Sequence, residues 1–208
     1  ISNQIIFTSK DIKPNAIKIG MLHSTKVIES VIKSLKVIKE KKIILDPVMV
    51  AKGGHRLLEF EAIDALKDFI SKAKPILTPN IPEAEILTGI KIKNLIDMEK
   101  AGKEIIKLGA SSVILKGGHM KTEVMTDLLI DANKIYPIKT KKILTNHTHG
   151  TGCTMASALS AGLAKSFKIE KAFKIAHEYV NMAIKSAPQF GKGNGPINHC
   201  FNINLFEH

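Results

Sequence analysis

The stretch Asn146-His147-Thr148-His149-Gly150-Thr151-Gly152-Cys153-Thr154 is the most informative in the chain. Its two glycines flank a threonine, and a run of small helix-forming residues follows from Met155 onward. A glycine-rich turn that opens a helix leaves backbone N–H groups without intrahelical acceptors, and the helix dipole adds positive charge there. The stretch therefore predicts an anion site at a helix N-terminus, such as one for a phosphate. The alternative is an ordinary helix start, in which the glycines serve only a tight turn.

Outward from this stretch, apolar strands alternate with amphipathic helices. The predicted strands cover residues 16–22, 42–46, 75–78 and 112–116, followed by a hairpin of 124–130 and 134–138 around Asp131-Ala132-Asn133. The predicted helices cover residues 24–40, 59–71, 82–87, 95–108, 151–166 and 169–187. This alternation predicts an α/β fold with a mostly parallel central sheet, helices on both faces and right-handed crossovers. Because there is no internal repeat or linker, we expect a single domain over residues 1–208.

The composition is strongly basic but contains no concentrated basic patch. The net charge is +12, and Arg56 is the sole arginine among 31 basic residues. The lysines are spread along the chain, whereas recognition of bases and phosphates commonly uses arginine forks. We therefore expect no nucleic-acid partner. No apolar run approaches the roughly 18 residues of a membrane span, so we expect no membrane partner either. Two cysteines, Cys153 and Cys200, do not make a disulfide framework and indicate a cytoplasmic protein.

Polar residues stand where the predicted strands end. Ligands of parallel sheets bind outside the carboxyl ends of the strands, so these residues are expected on one rim, facing the turn at Gly150. Asp46 ends one apolar strand, and Lys116 ends another. Because a buried carboxylate needs a partner, Asp46 either caps the next loop or faces a metal–phosphate cluster. Lys116 is either a surface lysine with an apolar stem or a phosphate ligand.

Asn80 and Glu83 stand at the predicted start of a short helix. A carboxylate in a first helical turn interacts favourably with the helix dipole, which is a purely structural explanation. The alternative is the outer shell of a magnesium ion, because Mg²⁺ keeps waters and needs few carboxylates. The residues by themselves leave both interpretations open.

A zinc site is a further interpretation of the histidines and cysteines. The candidate ligands are His147, His149 and Cys153, with His199 and Cys200 further along the chain. Zinc ligands usually come in tighter pairs, such as two cysteines separated by two residues. Zinc is therefore the weaker interpretation of these residues.

Six motifs occur in the order of a known family. They are Lys18-Ile19-Gly20-Met21-Leu22, Leu45-Asp46-Pro47-Val48-Met49-Val50, Thr78-Pro79-Asn80-Ile81-Pro82-Glu83-Ala84-Glu85, Lys116-Gly117-Gly118-His119, Thr148-His149-Gly150-Thr151-Gly152-Cys153-Thr154 and Gly191-Lys192-Gly193-Asn194-Gly195-Pro196-Ile197-Asn198-His199. With them the chain resembles the hydroxymethylpyrimidine/phosphomethylpyrimidine kinases of the ribokinase superfamily. The resemblance covers nearly all of the chain. It implies a ribokinase-like three-layer αβα fold and two successive ATP-dependent phosphoryl transfers in thiamine biosynthesis, first to the hydroxymethyl group of the pyrimidine and then to the monophosphate.

The same resemblance implies an anion hole and a metal–phosphate site. The anion hole would consist of Gly150, Thr151, Gly152 and Cys153. Cys153 stands where sugar-kinase relatives have a base Asp. Asn80 and Glu83 fall on a motif tied to magnesium and phosphate, with Glu83 as the metal residue. Asp46 and Lys116 would help at the phosphates.

Further implied roles concern the two substrates and the assembly. Met21 would contact the pyrimidine, and the residues near the nucleotide would be Gly191, Lys192 and Gly193. ATP and Mg²⁺ are the implied cofactors. The family also implies a homodimer.

The sequence departs from the family pattern at its start and in two loops. The family begins with an additional βαβ segment of roughly 30 residues or more, whereas Ile1 aligns with the helix before the Met21 strand. We therefore expect that this N-terminal βαβ segment is missing from the chain. His147 replaces an expected Asn, and His55 stands where a smaller or acidic residue is expected. Two alternatives follow: a pyridoxal kinase of the same superfamily, or a truncated protein that binds nucleotide or phosphate without turnover.

Overall fold

The computed structural model describes residues 1–38, 42–51, 54–120 and 122–203. Its helices are α1 Ser2–Ile12, α2 Thr25–Ile38, α3 Ala62–Ala73, α4 Ile81–Thr88, α5 Leu95–Lys107, α6 Thr151–Ala164 and α7 Ile169–Lys185. Its strands are β1 Ile17–Ile19, β2 Ile43–Leu45, β3 Ile76–Leu77, β4 Ser112–Leu115, β5 Val124–Ile130 and β6 Ile135–Lys141. Every predicted helix and strand is present, and α1 is the helix that the resemblance implied before the first strand. Within these ranges, no helix combines the length and apolar character that a membrane crossing requires.

The observed bounds differ from the predicted ones by a few residues, and backbone geometry explains the differences. β1 is confined to Ile17–Ile19, the residues that pair with β2. α3 begins at Ala62 rather than at residue 59, after a turn in which the Ala62 N–H donates to the carbonyl of Glu59. α6 ends before Ser166, because that residue has a left-handed φ of 61°. Residues 39 and 40 of the predicted helix 24–40 lie outside the described residues.

The strands form a six-stranded sheet whose order follows the chain from β1 to β6. Neighbours from β1 to β4 are parallel, whereas β5 is antiparallel to both β4 and β6. The predicted mostly parallel sheet and the predicted hairpin are thereby confirmed. Asp131 holds the hairpin turn, because its Oδ1 accepts the N–H groups of Asn133 and Lys134 at 2.7 and 2.8 Å.

Successive residues of the central strands pack on opposite faces of the sheet. Ile43 and Leu45 belong to an apolar cluster with α2 to α5, whereas Ile44 between them belongs to a second cluster with α6 and α7. β2 and β3 are apolar at every position because both faces of the sheet are covered there. This arrangement is the three-layer αβα fold that the sequence predicted.

Candidate active site

A buried ion pair lies where β2 and β4 end. Lys116 Nζ donates to Asp46 Oδ1 at 2.9 Å, and the Thr78 hydroxyl donates to the same oxygen at 3.1 Å. The strand register explains the meeting, because Leu45 pairs with Leu77, which pairs with Val113 in turn. Asp46 is only 2% exposed, and the two donors offset the cost of burying its charge. The structure therefore brings Asp46 and Lys116, predicted as separate features, into one cluster.

The first turn of α6 lies beside the same ammonium group. A Cβ atom built on Gly152 would be 3.1 Å from Lys116 Nζ. The N-cap residue Gly150 has a left-handed φ of 87° and makes no side-chain capping bond. The Thr151 N–H donates to the Thr148 carbonyl at a long 3.4 Å, which leaves the amides of Gly152 and Cys153 for another acceptor. These amides and the Lys116 ammonium place positive charge at the same end of α6. The geometry therefore favours the anion site over an ordinary capped helix start.

Asn80 and Glu83 form a reciprocal cap at the start of α4. Asn80 Oδ1 accepts the Glu83 N–H at 2.9 Å, and Glu83 Oε2 accepts the Asn80 N–H at 2.8 Å. Glu83 is 4% exposed, and its burial raises its pKa to about 7, although the nearby Lys116 charge acts to lower that pKa. Asn80 also forms a parallel β-bridge with Lys116. Glu83 is thus both a capping residue and part of the charged cluster around Lys116.

We expect Glu83 to make folding stability depend on pH. Its folded pKa of about 7 exceeds the ordinary value of 4.5, so the folded chain binds more protons than the unfolded chain between these values. Stability therefore falls as pH rises through this window. The contribution of Glu83 to the free energy of unfolding is fully present below pH 4.5 and is lost above about pH 7. It amounts to about 3 kcal/mol, at roughly 1.4 kcal/mol per pKa unit.

Urea unfolding of the metal-free protein and of its Glu83→Gln variant tests this expectation. The difference between their free energies of unfolding, followed from pH 4.5 to about 8, isolates Glu83 from every other titrating group. The wild-type protein should lose stability relative to the variant as pH rises. A difference that stays constant across this range would contradict the expectation.

The side chains suited to a magnesium ion are the oxygen donors around Lys116. Asp46, Asn80 and Glu83 offer carboxylate and amide oxygens, the donors that Mg²⁺ prefers. Asp46 Oδ1 and Glu83 Oε2 already accept hydrogen bonds from the protein, which fits contact with an ion through its waters rather than directly. The donor set therefore fits the expected outer shell of a magnesium site.

The described part of the chain does not support a zinc site. There, no three His, Cys, Asp or Glu side chains are grouped so as to hold a metal ion. His149 instead joins the start of α6 to the C-terminal segment, because its N–H donates to the Gly195 carbonyl at 3.0 Å. Cys153 and Cys200 are both free and exposed.

The side chains of Cys153 and Met21, both predicted as site residues, are exposed. Cys153 lies in the first turn of α6 and, together with Thr154, Tyr179 and His199, lines a cleft of about 630 Å³. Met21 follows β1 and is 51% exposed. Both side chains are therefore open to a ligand.

The C-terminal glycine-rich segment is tied to the start of α6. His149 forms a β-bridge with Pro196, and the Thr154 hydroxyl and His199 Nε2 lie 3.0 Å apart. The residues predicted near the nucleotide are exposed on the loop before this bridge: Gly191, Lys192 and Gly193. The fold thus brings their loop to the anion site and leaves these three residues facing solvent.

Sequence reasoning misses one buried polar network beside the site. The Gly117 N–H donates to Asp127 Oδ1 at 2.8 Å, and Asp127 Oδ2 lies 3.2 Å from His177 Nδ1. His177 Nε2 in turn lies 2.6 Å from the Thr140 hydroxyl. The available signals were an acidic residue inside the apolar strand 124–130 and a histidine on the apolar face of the helix 169–187.

Comparisons with known proteins agree with this fold. The family described as phosphomethylpyrimidine kinase matches residues 1–198. The hydroxymethylpyrimidine/phosphomethylpyrimidine kinase of Bacillus subtilis is 42% identical over 200 residues, which cover 96% of this chain and 74% of that protein. The crystal structure of phosphomethylpyrimidine kinase from Clostridium difficile is 39% identical with a TM-score of 0.77, covering 88% of this chain and 74% of that one. An ADP complex of Bacillus subtilis pyridoxal kinase is 36% identical with a TM-score of 0.82, covering 89% and 70%.

Proposed function

The chain belongs to the phosphomethylpyrimidine kinase family, and we propose that it uses ATP to phosphorylate 4-amino-5-hydroxymethyl-2-methylpyrimidine and then the resulting monophosphate. These two transfers serve the synthesis of thiamine diphosphate. The observation that carries the proposal is the position of the Lys116 ammonium. It lies 2.9 Å from the buried Asp46 carboxylate and directly beside Gly152 in the uncapped first turn of α6. Such an arrangement suits a phosphoryl group that is being transferred.

Phosphoryl transfer requires positioning and charge stabilisation more than covalent chemistry, because its transition state is loose. The amides of Thr151, Gly152 and Cys153, in the first turn of α6 after the N-cap residue Gly150, would donate to the oxygens of the transferring group. The Thr151 N–H would exchange its 3.4 Å bond to the Thr148 carbonyl for one of these oxygens. Lys116 would add a positive charge that its bond to Asp46 holds in place. Preorganised donors of this kind stabilise developing charge without reorganising during the reaction.

Asp46, Asn80 and Glu83 would hold a magnesium ion through its waters. When bound, Mg²⁺ supplies positive charge that neutralises the ATP phosphates. The role of these three side chains would be to supply oxygen donors at one rim of the sheet. Because burial raises the pKa of Glu83 to about 7, a cation beside it would favour the ionised carboxylate.

The remaining site residues would handle the two substrates. Cys153, exposed beside the anion hole, would take the proton of the acceptor hydroxyl or position that hydroxyl for attack. Met21 would contact the pyrimidine ring. Gly191, Lys192 and Gly193 would lie along the nucleotide. On the family resemblance we propose further that the chain acts as a homodimer in the cytoplasm.

Steady-state kinetics with ATP and Mg²⁺ tests the proposed substrate. We expect kcat/KM for the hydroxymethylpyrimidine to exceed that for pyridoxal by about tenfold or more, a difference of at least about 1.4 kcal/mol in transition-state binding. Chelation of the metal should abolish turnover of either alcohol. Conversion of the monophosphate to the diphosphate, followed in a separate assay, tests the second transfer.

A pyridoxal kinase is the second candidate, because the Bacillus subtilis pyridoxal kinase shares the fold at a TM-score of 0.82 and 36% identity. A kcat/KM that favours pyridoxal would establish that candidate in place of the first. Binding of ADP without turnover of either alcohol would instead indicate a nucleotide-binding protein that is not an enzyme.

A further inference from the structure

The turn after β4 is held by one side chain from a neighbouring strand. The Lys116 N–H donates to the Pro79 carbonyl at 2.9 Å, and the Gly117 carbonyl accepts the Met120 N–H at 2.9 Å. Between these two backbone bonds, the Gly117 N–H donates to Asp127 Oδ1 at 2.8 Å. Asp127 belongs to β5 and is 2% exposed. Its carboxylate therefore holds the residue next to Lys116 from inside the protein.

Asp127 is itself held by α7 and β6. Its Oδ2 lies 3.2 Å from His177 Nδ1, and His177 Nε2 lies 2.6 Å from the Thr140 hydroxyl. A carboxylate oxygen accepts hydrogen bonds, so Nδ1 donates to Asp127 in this arrangement, and Nε2 shares a hydrogen bond with the Thr140 hydroxyl. His177 is 3% exposed and packs edge-on against Phe173. The carboxylate is thus oriented by three elements of the fold.

We infer that Asp127 is a positioning residue for nucleotide binding and that His177 orients it. The inference rests on the proposed use of ATP at the Lys116 site. The hydrogen bonds of Asp127 go to Gly117 and His177 rather than to Lys116 or the first turn of α6. It acts through the Gly117 amide, which sets the path of the chain as it leaves Lys116. Loss of the carboxylate frees that turn and moves the ammonium away from the anion site.

The isosteric variant Asp127→Asn distinguishes the positioning role of the Asp127 side chain from an effect of its negative charge. Its amide oxygen can still accept the Gly117 N–H, and its amide nitrogen can donate to His177 Nδ1. The imidazole then carries its proton on Nε2 and donates it to the Thr140 hydroxyl. Every hydrogen bond of the network is kept in this variant, so we expect its dissociation constant for ADP to stay within about threefold of wild type.

Calorimetric titration with ADP and thermal unfolding test the inference on four variants. Asp127→Ala should weaken ADP binding at least about tenfold, because small displacements of a positioned group are costly. His177→Phe, which keeps a ring beside Phe173, should weaken it about threefold. Leu129→Ala is the matched control, because Leu129 is a buried residue of β5 that packs toward α6 and α7. This control should lower the melting temperature and leave ADP affinity unchanged. Asp127→Asn should bind ADP almost as the wild-type protein does.

Two results would overturn the inference. One is ADP affinity within twofold of wild type in both Asp127→Ala and His177→Phe. The other is an equal loss of affinity in Leu129→Ala, because affinity would then follow stability rather than the Gly117 contact. Failure of the proposed function would give a different result. The wild-type protein would bind ADP without phosphorylating the pyrimidine, and the dissociation constants of the variants for ADP would still test the role of Asp127. A wild-type protein that binds no ADP would overturn both.

Discussion

Replacing Lys116 by methionine is expected to lower kcat for ATP-dependent phosphorylation of the pyrimidine about 10²- to 10³-fold, the range found when one preorganised donor is removed from a charge-stabilising site. Methionine keeps the unbranched side chain but removes the charge beside Gly152. Steady-state kinetics at saturating ATP and pyrimidine would measure the loss. Lys103→Met is the matched control, because Lys103 is exposed on α5 and its replacement changes the net charge equally.

The same substitution also removes the charged partner of Asp46. Asp46 is 2% exposed, and the loss of one partner of a buried ion pair costs about 3–5 kcal/mol. Lys116→Met is therefore expected to unfold at lower temperature, and part of any activity loss would reflect unfolded protein. The double variant Lys116→Met/Asp46→Asn removes the uncompensated charge and should recover most of the stability without recovering kcat. A double variant with near wild-type kcat would show that Lys116 serves folding alone.

The sheet and its layers could be predicted from the sequence because the relevant signals are local. The run Ile43-Ile44-Leu45 is apolar at every position, which indicates a strand covered on both faces, and the helices between strands show a clear apolar stripe. Asn80 and Glu83 are three residues apart, so their place in the first turn of a helix could be seen in the sequence too. Beyond this prediction, the structure shows the two hydrogen bonds of the capping box between Asn80 and Glu83.

The candidate site was harder to predict, because its contacts join distant parts of the chain. Asp46 and Lys116 are 70 residues apart in sequence. From the sequence alone, Asp46 could equally cap a loop and Lys116 could equally be a surface lysine, and only the arrangement of the strands shows that the two side chains meet. Asp127 and His177 are 50 residues apart, and neither belongs to a recognisable motif. The roles of Met21 and Gly191 remain predictions, because both are exposed and acquire a function only with a ligand.

Replacing Gly117 by alanine is expected to weaken ADP binding and to lower kcat/KM for ATP by about 10²-fold. A Cβ atom at this position would clash with the Thr126 carbonyl oxygen and would lie 3.0 Å from the Thr126 carbonyl carbon. These are backbone atoms of β5, so no side-chain rotation relieves the contact. The turn would have to move by about an ångström, and a displacement of that size at a positioned group costs roughly 10²-fold in rate. Overpacking should also cost about 1–3 kcal/mol of stability.

Gly118→Ala provides the matched control for this prediction. The nearest atom to a Cβ there is Met125 Sδ at 3.6 Å, which is ordinary van der Waals contact. Both substitutions add one methyl group and restrict the unfolded chain equally, so any difference between them isolates the clash with Thr126. Calorimetry with ADP and kinetics with ATP should place Gly118→Ala near wild type. Equal losses of ADP affinity in the two variants would mean that nucleotide binding depends on the flexibility of both glycines rather than on the close approach of Gly117 to β5. The hydrogen bond from Gly117 to Asp127 would then not be what positions the turn.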